Sequence, residues 1–272
     1  MNSTPAPLSG WRVATRAVVD STQDAALAWW NDDPGSPLAL RAERQSAGRG
    51  RRGHRWESPE GGLWVSLVRT LEGPPDPFVG FLVGVSVLES IEALVPPGAS
   101  PRHGALTLKW PNDLVAGSAK WGGILSEVRR DSRGGSVLVT GIGLDLDLEP
   151  PEVADAKSTS IRFEFGESPS PAEALSRILP RFDDLRELDR VQGRAAALAR
   201  VAPRISTLGR TITWFEADRA FEGRAVSLER DGALSVLLPD GSSKVLRSAD
   251  VRHLRPDDDR CPSSPPPKEP PR

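Results

Sequence analysis

Five arginines and three glycines share one stretch, Arg44-Gln45-Ser46-Ala47-Gly48-Arg49-Gly50-Arg51-Arg52-Gly53-His54-Arg55-Trp56, with no acid between Glu43 and Glu57. The whole chain carries a formal net charge of −2, so this is a positive island on an otherwise acidic protein. A general nucleic-acid surface spreads its cations over a face or along a helix. A basic loop threaded with glycines, where the backbone can come close to a ligand, suits one compact polyanion instead. A second polar set, Lys109, Asn112, Asp113 and Lys120, lies close together in sequence among apolar neighbours. A cation, an amide and a carboxylate this near one another can steer an anion and accept a proton. Each also has a plain reading, because strand lysines are usually solvated and Pro-Asn-Asp is a good turn.

Three chemistries compete for the arginine loop. Gly48-x-Gly50-x-x-Gly53 matches the dinucleotide fingerprint in form, and Glu72 sits near its acidic position. That fingerprint needs a helix immediately afterwards, and Pro59, Gly61 and Gly62 forbid one of useful length. A nucleic-acid arm, with Trp56 and Trp110 stacking on bases, lacks the basic stripe it would need elsewhere. An anion site for catalysis on a nucleotide uses both polar clusters at once.

The elements that must position these residues follow from periodicity. Trp11–Asp20 alternates and reads as a strand. Asp20-Ser21-Thr22-Gln23-Asp24 reads as a helix start with Ser21 or Thr22 at the cap, and Ala25–Trp30 as its body. Leu38–Ala42 is a strand that delivers the loop, and Leu63–Thr70 is the strand after it. Apolar residues at 78, 81, 82, 85, 88, 91 and 94 predict a helix over Phe78–Val95. Leu106–Leu108 is a strand expected to run through Lys109–Asp113 into Leu114–Ala116, turn at Gly117-Ser118 and return from Lys120, a hairpin with polar groups at its tip. A strand over Ser136–Leu148, a helix over Pro171–Leu188 and another over Arg194–Val201 follow. The composition shifts near Ala202–Ser206. Beyond it, Thr211–Ala217, Phe221–Leu228, Ala233–Leu238 and Lys244–Arg247 are short β runs separated by Asp-Gly turns. Their spacing suggests a small SH3-like barrel.

Composition excludes other classes. The single cysteine, Cys261, allows neither a disulfide framework nor a cysteine-based zinc site. The opening Met-Asn-Ser-Thr-Pro is not a secretory leader, and the apolar run over 78–95 is broken by Glu89 and Glu92. A cytoplasmic protein with no membrane partner is therefore expected. The proline-rich tail cannot build a core and is expected to be disordered.

Together the motifs resemble one family. The stretch 45–56 resembles the ligand loop of biotin–protein ligases. Lys109-Trp110-Pro111-Asn112-Asp113 and Lys120-Trp121-Gly122-Gly123-Ile124-Leu125 resemble its second and third signatures, in the right order. Asp20-Ser21-Thr22-Gln23 is similar to its opening motif, Gly141-Ile142-Gly143-Leu144-Asp145 to its G-x-G-x-N segment, and Gly241 to Arg255 to its C-terminal barrel. The resemblance implies an α/β fold: a mixed-sheet catalytic domain over 1–204 with helices on one face, an SH3-like barrel over 205–256, and a disordered tail over 257–272.

It also implies roles. Ser21, Thr22, Gln23 and Gln45 would bind the ureido ring of biotin, with Gly48, Arg49, Gly50, Gly122 and Gly123 lining the site. Arg51 would hold the adenylate phosphate, and Lys120 would bridge the biotin carboxyl and the α-phosphate. Trp56 would pack on adenine, with Arg49, Arg52, His54, Lys109, Asn112 and Asp145 on the nucleotide side. Asp113 would orient or deprotonate the incoming lysine. Gln23, His54 and Asp145 depart from the usual Asn, Arg or Lys, and Asn. The implied substrates are biotin and ATP with Mg²⁺, without a dedicated metal cluster. The implied partner is a biotin carboxyl carrier domain, with a possible homodimer and no nucleic acid. A lipoyl or octanoyl ligase or transferase is the nearest alternative, and a biotin-responsive DNA-binding repressor is the alternative of another class. Only about ten residues precede the first predicted strand, too few for a helix-turn-helix.

Overall fold

The computed structural model describes residues 10–149, 158–216, 219–247, 249 and 251–253. Strand β1 (Arg12–Val19) runs into helix α1 (Thr22–Asp32) and on to β2 (Leu38–Gln45), which lies parallel to β1. A parallel neighbour needs a crossover, and α1 supplies it. β3 (Leu63–Thr70) follows, then α2 (Val79–Glu92), β4 (Leu106–Lys109), β5 (Asp113–Ala116), β6 (Ala119–Arg130) and β7 (Ser136–Leu144). The seven strands form one mixed sheet in the order β1-β2-β3-β7-β6-β5-β4, antiparallel from β2 onward. A short α3 (Ile161–Phe165), then α4 (Pro171–Gln192) and α5 (Arg194–Val201), complete this part.

Helices cover both faces of the sheet, not one as the sequence suggested. α2, α4 and α5 bury Leu82, Val85, Leu88, Ile178 and Ala197 in a core shared with Leu63, Val65, Leu67 and Ile142. α1 lies on the other face, with Ala26 and Trp30 against Leu38, Leu40, Val68, Val137 and Val139. The reason is in the central strands, which are apolar on both sides and so need both sides covered.

The stretch at 106–116 also differs from expectation. Leu114–Ala116 does not continue β4 but comes back antiparallel to it, with Lys109 opposite Asp113. Pro111 has no N–H to give a ladder, and Trp110-Pro111-Asn112 forms the turn. The polar tip is therefore this turn, at the end of the strands away from Gly117-Ser118. β7 ends at Leu144 rather than Leu148, since Asp145 and Asp147 turn their N–H groups to the Trp121 and Gly61 carbonyls. α4 extends past Leu188 to Gln192 behind a capping box of Ser170 and Glu173. α3 was not anticipated, although Ser160 caps its start and left-handed Gly166 closes its end.

The C-terminal part is an antiparallel five-stranded sheet, β8 (Thr211–Glu216), β9 (Arg219–Leu228), β10 (Leu234–Leu237), β11 (Ser243–Leu246) and β12 (Arg252–His253), ordered β11-β10-β9-β8-β12. Four strands fall where the β runs predicted them, and two-residue β12 was missed. The expected disordered tail, with Cys261, lies outside the described residues. Among the described residues no helix is long and apolar enough to cross a membrane.

Candidate active site

On the α1 face, β7 places Val137 and Val139 under the helix and Gly141 and Gly143 beyond its N-terminal end. Gly123 of β6 pairs with Gly143. With no side chains there, the Trp56 indole lies down on Gly123 and Gly143 and Gln23 lies over Gly141, and beside them a hollow of about 390 Å³ opens, a size suited to a small ligand. The glycines let the two side chains that border the hollow lie close to the sheet. A Cβ on Gly141 would come within 3.3 Å of Gln23, and one on Gly143 within 2.8 Å of the Trp56 indole.

The α1 N-terminus forms the first wall. Ser21 occupies the N-cap position but makes no capping bond, contrary to the plain capping reading. Instead the Thr22 N–H donates to Gln45 Oε1 at 2.8 Å, and the Thr22 hydroxyl donates to the same oxygen at 3.1 Å. Ser66 donates to the Thr22 hydroxyl at 2.8 Å, and Gln45 Nε2 donates to Ser58 Oγ at 2.8 Å. Gln45 is thus fixed at both ends, while the buried Ser21 hydroxyl is left facing the hollow. Gln23 donates to the Leu125 carbonyl at 3.1 Å.

The arginine loop is the second wall. It folds back on itself through bridges pairing Gln45 with Ser58 and Arg49 with Arg55, with a 3-10 turn over Arg51–Gly53 at its tip. No α-helix follows, so the dinucleotide fingerprint is empty form. Gly48 sits behind the wall, where a Cβ would meet the Trp56 carbonyl at 2.4 Å. Arg49 donates to Asp24 at 2.9 Å. Arg49, Gly50, Arg51 and His54 line the hollow, whereas Arg52, left-handed at φ 56°, is exposed outside it.

The 110–112 turn is the third wall. Arg51 Nη1 donates to Asn112 Oδ1 at 3.1 Å, which ties loop to turn. Lys120 and Asp113 form an ion pair at 2.6 Å, and Lys109 lines the hollow at the base of the turn. The Lys120 ammonium stands 4.9 Å from the centre of the Trp56 ring. Together Lys120 and Trp56 border the hollow on one side and a second chamber of about 360 Å³ on the other. The Trp56 indole N–H is buried with no acceptor, a cost that a ligand oxygen or a shift of the ring would relieve.

Asp145 lines the second chamber with Ser158, Thr159 and Ser160, not the first. Burial pushes its pKa up to about 7, with Lys120 partly opposing. A raised folded pKa means stability that is full below the unfolded value and lost as pH rises through about 7. Asp145→Asn should therefore raise the melting temperature at pH 8, by several degrees for a gain on the order of 3 kcal/mol, with the gain narrowing towards pH 4. An equal change at pH 8 and pH 5 in thermal unfolding would contradict this.

Gly122 faces the opposite side, against Leu144 and Leu114 in the helical core, and does not reach the hollow. Among the residues not assigned beforehand that reach it are Gly141, Gly143, Leu125, Trp110, Arg55 and, just before β12, Val251. The two glycines at a spacing of two in a β-branched strand were a readable signal of a close approach to the sheet. Val251 had none, because only the docking of the second sheet brings it there.

Residues 15–147 match the model of the biotin/lipoate A/B protein ligase family. Over 249 residues the chain is 30% identical to the biotin–[acetyl-CoA-carboxylase] ligase of Paracoccus denitrificans, covering 86% of this chain and 98% of that protein. The corresponding ligase of Mycobacterium tuberculosis is 31% identical over 263 residues, 91% of each chain. The chain belongs to the biotin protein ligase family. The ligase also superposes on the biotin protein ligase of Aquifex aeolicus solved with biotin and ATP, with a TM-score of 0.75 and 26% identity over 89% of this chain and 99% of that one. If the glycine floor of this ligase is where its ligand lies, Gly141→Val should cut biotin affinity by roughly a hundredfold or more, as overfilled sites do. Calorimetry that finds wild-type affinity would place the ligand elsewhere.

Proposed function

We propose that this ligase joins biotin and ATP into biotinyl-5′-AMP and then passes the biotinyl group to one lysine of a carboxyl carrier domain. The observation that carries the reading is the placement of Lys120 and Trp56 on the border of two adjoining chambers, one floored by glycines and one walled by hydroxyls and Asp145. A reaction between two different substrates needs such a junction. The glycine floor takes the flat ureido ring. The Ser21 hydroxyl, spared from capping, and the remaining N–H of Gln45 are the groups free to bond it. The second chamber takes the adenine side of the nucleotide, against Trp56.

In the first step a biotin carboxylate oxygen attacks the α-phosphorus of ATP and the bond to the β,γ-pyrophosphate breaks. Two anions must meet, and Lys120 lies where it can serve both. Arg51, held by Asn112, stabilises the charge on the phosphoryl oxygens. Magnesium is read as part of the MgATP substrate. In the second step the carrier lysine attacks the carbonyl and AMP leaves. Asp113, released from its ion pair as Lys120 turns to the phosphate, is placed to take the proton of the incoming ammonium. Folding of residues 45–58 over the mixed anhydride keeps water from it.

The catalytic part is read as 1–204 and the C-terminal sheet as an SH3-like barrel over 205–256. β1 is an edge of the large sheet, the strand through which a homodimer would pair. The protein is read as cytoplasmic and without an operator site. A gel shift on a biotin-operon fragment that responds to biotin would revive the repressor reading. The deciding test is incubation with biotin, MgATP and a carrier domain, followed by a blot for bound biotin. Labelling with lipoate in place of biotin, and none with biotin, would move the protein to the lipoyl branch.

A further inference from the structure

The turn that carries Asn112 and Asp113 is held from behind by the C-terminal part of the chain. Trp110, at the head of the turn, donates its backbone N–H to Thr207 Oγ1 at 3.0 Å and its indole N–H to the Gly232 carbonyl at 2.9 Å. Thr207 is fully buried, and its hydroxyl lies 3.0 Å from Nε2 of His253 on β12. The Thr207 oxygen accepts from Trp110 and also shares a hydrogen bond with His253, whose direction follows the ring tautomer. Burial, helped by Lys109 and Arg210, pushes the imidazole down to about 4, so the ring is neutral at physiological pH.

The linker strengthens this attachment. Ser206 donates through both its N–H and its hydroxyl to the Leu108 carbonyl, one residue before Lys109. Gly232 adopts φ 82°, and a Cβ there would lie 2.6 Å from the Phe81 ring, so the turn that accepts from Trp110 is itself seated on α2. On the far side of the 110–112 turn, Asn112 holds Arg51 and Asp113 holds Lys120.

We infer that Thr207 and His253 are positioning residues for the adenylation step, fixing through Trp110 how Asn112 and Asp113 present Arg51 and Lys120 to the nucleotide. This rests on the ligase reading of the two chambers. A chain of buried hydrogen bonds fixes geometry only while every member is satisfied, and losing one acceptor leaves the Trp110 N–H stranded. The 110–112 turn also walls the glycine-floored hollow, but Ser21, Gln45, Gly141 and Gly143, the groups read here as meeting the ureido ring, hang on none of these bonds. Nucleotide use and biotin binding should therefore separate.

Thr207→Val should raise the KM for MgATP in biotin-dependent pyrophosphate exchange about tenfold, while biotin affinity without nucleotide stays within about twofold. Thr207→Ser, which keeps the hydroxyl, should restore the KM. His253→Leu removes only the last partner in the chain and should shift the KM in the same direction, so the test stands even if the valine variant does not fold. Unchanged KM in an active wild-type background would overturn the inference alone. So would equal losses of biotin and MgATP affinity, the mark of general loosening, or failure of serine to rescue. A wild-type chain without exchange would overturn the ligase reading and this inference with it.

Discussion

Lys120→Ala should reduce biotin-dependent ATP–pyrophosphate exchange by about a thousandfold or more, with the fold intact. Lys120 faces both chambers and pairs with Asp113 at 2.6 Å. A carboxylate and a phosphate brought together without a cation between them repel. Unit charges roughly 4 Å apart interact by about 4 kcal/mol at an effective dielectric near 20, which corresponds to about three decades in rate. The mutation also leaves Asp113 unpaired and removes the cation that partly offsets the burial of Asp145, so the chamber becomes more hostile to a nucleotide. Circular dichroism should be unchanged, because the ammonium is part-exposed and supports no core contact. Exchange within tenfold of the wild type would take Lys120 out of its role.

Arg51→Gly should uncouple activation from delivery. Its guanidinium spans from the loop to Asn112 at 3.1 Å, and on the proposed reading it both holds the adenylate phosphate and keeps the loop closed. A charge-assisted hydrogen bond to phosphate that is worth about 1.5–3 kcal/mol predicts adenylate release faster by roughly ten- to a hundredfold. The escaped mixed anhydride should then label lysines on bystander proteins, which a blot of a mixed-protein reaction would reveal. Retention as tight as in the wild type, together with clean labelling of the carrier alone, would refute the clamp. Because the two variants strike different steps, Lys120→Ala should produce little adenylate and Arg51→Gly should produce adenylate and lose it.

Much of the site was legible because its residues sit in short local motifs. The loop 45–56, the 109–113 turn and the 120–125 segment each combine charge with glycine or proline, and those residue types impose backbone geometry before any tertiary contact forms. Ser21, Thr22 and Gln45 were likewise readable by resemblance, and the structure brings them together at one end of the hollow. The errors fell where local sequence is silent about neighbours. Gly122 and Gly123 are adjacent, yet alternation along β6 sends one into the helical core and the other to the floor. Arg52 shares the loop with Arg51 and points away, because a left-handed residue at the tip reverses the chain. Asp145, expected on the nucleotide side, lines the second chamber, since β7 ends one residue earlier and the chain turns off the sheet.

What the sequence determined by itself was the chemistry: a positive loop on an acidic chain, a lysine and a carboxylate near one turn, and strands and helices of about the right extent. Periodicity and turn residues act over a few positions, so they survive reading one residue at a time. Tertiary structure decided which face each side chain took, that helices cover both faces of the sheet, and that Thr207, Gly232 and His253 stand behind the 110–112 turn. Those outcomes depend on contacts between residues about a hundred positions apart or more, such as Trp110 with Gly232. No local pattern encodes such a pairing, because the free energy that selects it comes from burying both partners at once.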